Sequence, residues 1–110
     1  MTTNVLFVCS RNQWRSPTGE RVFAKDPALA VRSAGTSPRA KRTVNQNDIM
    51  WADVILVMES KHRDRLKALF PRAMQYQSVH VLDIPDDYGF MDPELLEIFE
   101  ATVPALLASG

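Results

Sequence analysis

Apolar residues fall in short blocks along the chain, separated by polar, proline- or glycine-bearing stretches. After Asn4, the run Val5, Leu6, Phe7, Val8 leads unbroken to Cys9, the pattern of a strand covered on both faces. The polar residues 10–15 do not continue that strand. Ser16 and Pro17 then open a helix, because proline fits the first helical position and lacks an N–H that would be orphaned there. Val22 and Phe23 supply the helix's inward face. Residues 28–33 read as a weaker second strand, and residues 34–38, with Gly35 and Pro38, as a turn.

The second half repeats the alternation. Residues 45–52 read as a short helix and residues 53–58 as a strand, with Val54, Ile55, Leu56 and Val57 in succession. Ser60 is placed to cap the next helix, which carries Leu66, Leu69 and Phe70 at helical spacing and stops before Pro71. Residues 79–82 form a fourth strand and residues 83–91 a loop. Asp92 as cap and Pro93 at the first position start a last helix, whose stripe is Leu95, Leu96, Phe99, Val103, Leu106 and Leu107, with a kink expected at Pro104. Strands alternating with helices predict parallel βαβ units. The expected fold is therefore α/β, a three-layer open sheet of four parallel strands with helices on both faces.

Composition narrows the class. A chain of 110 residues suits one domain, residues 1–110, and 45% apolar with 24% charged residues is ordinary globular usage. Thirteen basic and thirteen acidic residues balance, which argues against nucleic acid or an anionic membrane as partner. The halves differ: residues 1–50 hold eight Lys/Arg and three Asp/Glu, whereas residues 51–110 hold five and ten. That pattern fits an anion pocket in the first half and a carboxylate-bearing loop in the second. One cysteine excludes an intrachain disulfide. The segment 1–8 is too short and uncharged for a signal peptide, and the longest apolar run, residues 54–58, is far short of a membrane span. A cytoplasmic protein is expected.

In an open α/β sheet, ligands bind outside the carboxyl ends of the strands, which is where Cys9 falls. The segment Cys9, Ser10, Arg11, Asn12, Gln13, Trp14, Arg15 separates a cysteine from an arginine by five residues, directly before a helix. Such a loop can curl its N–H groups inward, the helix N-terminus adds positive potential, and Arg15 can grip two phosphate oxygens. A thiol at the centre of that ring is expected to ionise well below the usual ~8.5 and to act as a nucleophile toward a bound oxyanion. Cysteine and arginine at this spacing also arise by chance, with a buried core thiol as the alternative. The strand before and the helix after favour the functional reading. His62 on a surface helix and His80 in a strand make no metal pair with Cys9, so no metal or other cofactor is expected.

Val8 and Cys9 through Arg15, Ser16 and Pro17 resemble the signature loop of the low-molecular-weight protein tyrosine phosphatases. Ser33, Ala34, Gly35 and Thr36 look like the end of that family's second strand, residues 53–59 like its third, and Ile84, Pro85, Asp86, Asp87, Tyr88 like the loop bearing its general acid. The resemblance implies that family's four-stranded parallel sheet and hydrolysis of a phosphorylated protein or small phosphomonoester through a phosphocysteine. On it, Cys9 attacks phosphorus, and Arg15 with the loop residues Ser10, Arg11, Asn12, Gln13 and Trp14 surrounds the phosphate. Asn12 fixes the loop and the Ser16 hydroxyl supports the thiolate. A loop carboxylic acid protonates the leaving oxygen. Spacing to the aromatic Tyr88, itself expected to line the cleft or else to pack the loop, favours Asp86; Asp87 comes next, and Asp83 and Asp92 stay open, Asp92 also suiting a helix cap.

Three features depart from the family. Arg11 stands where the family has a glycine, so it must fit an ordinary backbone or strain the loop. Trp14 stands where the family often has a second cysteine, and so serves as packing or as a wall against a substrate ring. The chain is also shorter, mainly between Gly35 and Asp53. Other readings are a non-catalytic phosphate-binding module, a thiol-dependent arsenate reductase borrowing an external thiol, a phosphocysteine carrier, which Arg15 disfavours, and a Cys-His protease. Oligomeric state is open.

Overall fold

The computed structural model describes residues 2–109. Four strands, β1 (Thr3–Cys9), β2 (Leu29–Gly35), β3 (Val54–Val57) and β4 (Val79–Val81), form one sheet in the order β2-β1-β3-β4. Every pairing is parallel, as the strand–helix alternation implies. The helices are α1 (Arg15–Phe23), α2 (Gln46–Trp51), α3 (Ser60–Leu69), α4 (Pro71–Met74) and α5 (Pro93–Ser109).

Strand pleating divides the core in two. Val5, Phe7, Leu56 and Met58 point to one face and pack with Phe23 of α1 and with Leu95, Phe99 and Val103 of α5. Leu6, Val8, Ile55 and Val57 point to the other and pack with Ile49 of α2, Leu66 of α3 and Met74 of α4. The central strand β1 is buried from Val5 to Cys9, which is why its sequence is a continuous apolar run. Helices cover both faces. No helix among the described residues is long and apolar enough to cross a membrane.

Several boundaries differ from the sequence reading, each for a local reason. β2 runs on through Ala34 and Gly35, which had suggested a turn. At Gly35 a Cβ would lie 2.6 Å from the Ser10 carbonyl oxygen, so the glycine permits a close approach of two backbones. α1 begins at Arg15, which puts Pro17 third in the helix, still within the turn whose N–H groups have no intrahelical acceptor. Glu59, not Ser60, flanks α3, and its N–H donates to His62 Nδ1 at 3.0 Å. Pro71 ends one helix and also starts the single turn of α4. Asp92 caps α5: its Oδ1 accepts the Glu94 N–H at 2.9 Å. α5 continues through Pro104 to Ser109.

Candidate active site

Strand order brings the site together. Cys9 ends β1, in register with Gly35 of β2, and Val8 pairs with Val57, two residues before Glu59. The segment after β2 backs the loop. The Cys9 carbonyl accepts from Thr36 N–H at 2.9 Å, the Ser10 carbonyl from Ser37 N–H at 2.9 Å and the Arg11 carbonyl from Lys41 N–H at 3.0 Å. In a trans peptide the N–H points opposite the C=O, so those bonds turn the N–H groups of Ser10, Arg11 and Asn12 away from the backing segment. Buried Asp48 holds that segment in place through Arg42 and through Arg32 at 3.3 Å.

Among the described residues the strain of the loop falls on Asn12, with φ 52°, and not on Arg11. Asparagine tolerates the left-handed region better than most residues, so arginine at the following-cysteine-plus-two position needs no unusual backbone. Asn12 is also the hub of a buried network. Its Nδ2 donates to Ser16 Oγ at 3.0 Å and to Ser33 Oγ at 2.9 Å. The Ser33 hydroxyl donates to Glu20 Oε1 at 2.6 Å. Ser16 Oγ lies 2.9 Å from Cys9 Sγ.

Arg15, 2% exposed, is anchored by one nitrogen. Its Nη1 donates to Glu59 Oε1 at 2.5 Å and to the Ile84 carbonyl at 2.7 Å. Nε lies 3.6 Å from Asp86 Oδ1, whose side chain is 57% exposed. The guanidinium edge formed by Nε and Nη2 is thus not taken up by the Glu59 and Ile84 anchors. Arg15 holds the Glu59 carboxyl below the usual carboxylate range, against the opposing effect of burial.

Cys9, Ser10, Arg11, Gln13, Trp14, Arg15 and Asp86 line one pocket. Asn12 and Ser16 lie behind its wall, buried. Trp14, 45% exposed, and Phe90 also border an adjoining groove. Tyr88 packs against the core on the α1 and α5 side and is not among the residues that line this pocket. Asp87 and Asp83 are exposed outside the lining, and Asp92 is engaged as a cap. The loop of residues 83–91 is tied down at both ends: Ile84 N–H donates to the Met58 carbonyl at 2.9 Å, and Met91 N–H to Thr18 Oγ1 at 3.0 Å.

Glu20 carries no role in the sequence reading, and Ser33 and Glu59 enter it only as parts of strands; His62, expected on a surface helix, is instead 1% exposed. The spacing of Glu59 and His62, as helix-flanking residue and third helical residue, is a sequence signal that could have found two of them.

This arrangement of sheet, loop and helix is the fold of the low-molecular-weight protein tyrosine phosphatases. The phosphatase of that family from T. tengcongensis superposes with a TM-score of 0.80 at 21% identity, over 99% of this chain and 100% of that one. The YwlE arginine phosphatase from Geobacillus stearothermophilus gives 0.75 at 23% identity, over 97% and 94%. Vibrio vulnificus Wzb in complex with benzylphosphonate gives 0.73 at 25% identity, over 98% and 97%. Neither a protein-family model nor a curated protein matches the sequence significantly.

Proposed function

We propose that the protein is a phosphate-monoester hydrolase that works through a phosphocysteine at Cys9. The observation that carries this reading is that Cys9, Arg15 and Asp86 line one pocket at the carboxyl end of β1. In the reaction, the Cys9 thiolate attacks phosphorus and the bond to the leaving oxygen breaks. The Asp86 carboxylic acid gives that oxygen its proton. The resulting carboxylate then takes a proton from water, which attacks the phosphocysteine and releases phosphate and the thiolate. The Nε and Nη2 edge of Arg15, turned away from the Glu59 and Ile84 anchors, and the N–H groups of the loop supply donors for the phosphoryl oxygens as charge shifts. The Ser16 hydroxyl supports the sulfur, and Arg11 at the rim adds positive charge that favours a dianionic ester.

Structures of this fold include both tyrosine and arginine phosphatases, so fold alone does not select the phosphorylated group. Trp14, beside Cys9 and open to the groove with Phe90, is the wall on this chain suited to a flat leaving group. The substrate class is a phosphorylated protein or a small phosphomonoester. Arsenate reduction would need a resolving thiol, and Cys9 is the only cysteine.

Turnover of para-nitrophenyl phosphate across pH, beside Cys9→Ser and Asp86→Ala, tests the mechanism. Loss of all turnover in the first and slowed turnover in the second are expected. Phosphate binding by the wild type without any turnover would leave a binding module instead.

A further inference from the structure

Two hydrogen bonds fix the protonation of a histidine behind the pocket wall. His62 stands in the first turn of α3 and is 1% exposed. Its Nδ1 accepts the Glu59 N–H at 3.0 Å, so Nδ1 carries a lone pair. A neutral ring then holds its single N–H on Nε2, which faces Ser10 Oγ at 2.9 Å. A second proton would set an N–H on Nδ1 directly against the Glu59 N–H. Burial and the nearby Arg15 charge act the same way, bringing the ring down to about 4 from its usual value near 6.5.

The consequence falls on Ser10. A serine hydroxyl has one hydrogen, and here its oxygen already receives one from Nε2. The Ser10 carbonyl is occupied by Ser37 N–H. Ser10 itself lines the pocket with Cys9 and Arg15. We propose that His62 is a positioning residue of this pocket: by donating Nε2–H to Ser10 Oγ, it turns the Ser10 hydroxyl hydrogen inward as a donor to an oxygen of the phosphoryl group beside Cys9. The inference rests on the phosphatase reading above, which supplies that ligand. A neutral donor of this kind adds no charge beside Arg15. A freely rotating Ser10 hydroxyl would turn a lone pair to the phosphate in part of its population.

Inorganic phosphate as competitive inhibitor of para-nitrophenyl phosphate turnover reads the effect. Ser10→Ala removes the donor. His62→Asn keeps an acceptor for the Glu59 N–H but is too short to reach Ser10, whereas His62→Gln places an N–H near the Nε2 position. Ser10→Ala and His62→Asn should each weaken phosphate roughly tenfold, the scale of one hydrogen bond to a charged group. The double variant should be no weaker than either alone, because both act on one hydrogen, and His62→Gln should recover most of the affinity. Unchanged phosphate affinity in Ser10→Ala, or losses that multiply in the double variant, would overturn the proposal. A reading without mutation guards against a His62 variant that fails to fold: ring nitrogen shifts by NMR should show Nε2 protonated and Nδ1 bare, and the reverse tautomer overturns it. Absent turnover and absent phosphate binding in the wild type would instead defeat the phosphatase reading itself.

Discussion

Ser16 Oγ lies 2.9 Å from Cys9 Sγ and takes a hydrogen bond from Asn12 Nδ2 at 3.0 Å, so its own hydrogen is left for the sulfur. The Ala34 carbonyl, at 3.4 Å, is the weaker competitor for it. A hydroxyl that donates to sulfur stabilises the thiolate over the thiol. Ser16→Ala should therefore slow alkylation of Cys9 by iodoacetamide at neutral pH by roughly tenfold, the scale of a hydrogen bond to a charged group. Alkylation at the wild-type rate would show that Ser16 only fills space.

Asn12 combines two roles that separate variants can split. Its carboxamide donates both hydrogens, to Ser16 and Ser33, and its backbone has φ 52°. Asn12→Gly loses the hydrogen bonds but suits that backbone. Asn12→Ala loses the same bonds and adds a left-handed alanine, costing about 1 kcal/mol more. Thermal melts should rank wild type above Asn12→Gly and Asn12→Gly above Asn12→Ala. A more stable alanine variant would mean that the loop relaxes out of the left-handed region.

What the sequence made legible was local. The run into Cys9, the five-residue spacing to Arg15 and the Asp92 cap each depend on neighbours along the chain, and the structure places them as read. The end of β2 was misread because Gly35 serves as turn punctuation in sequence. In space it serves a close approach to Ser10, which only the pairing of β1 with β2 creates. His62 was illegible for the same reason: its contact with Ser10 spans 52 positions and follows from β3 lying beside β1. Arg11 looked like the strained position because glycine stands there in similar loops, whereas the left-handed residue is its neighbour Asn12.

Gly35→Ala tests the backing of the loop. The new Cβ would meet Ser10 O at 2.6 Å and Asn12 N at 2.9 Å, both backbone atoms of the loop. Relief requires the loop to move, so phosphate affinity should fall along with stability, the latter by about 1–3 kcal/mol. Gly19→Ala is the control, since its Cβ would meet the Phe7 ring at 2.6 Å, inside the core. It should lower the melting temperature with a smaller effect on phosphate affinity. Equal effects of both variants on affinity would contradict a specific role for the backing segment.

Acid should destabilise the protein through His62 and Glu59. His62 is brought down to about 4 in the fold, chiefly by burial, so between there and its unfolded value near 6.5 the unfolded chain binds the extra proton. Stability from keeping this ring neutral is complete above that window and is lost as pH falls through it. Glu59, held low chiefly by its hydrogen bond from Arg15, acts in the same direction: its contribution is present above the ordinary carboxylate range and is lost as pH falls further. The melting temperature should thus drop from pH 7 toward pH 4.5. The drop should be shallower in His62→Gln, which has nothing to protonate at that position. Equal slopes in wild type and His62→Gln would show that the buried imidazole does not govern the acid limb.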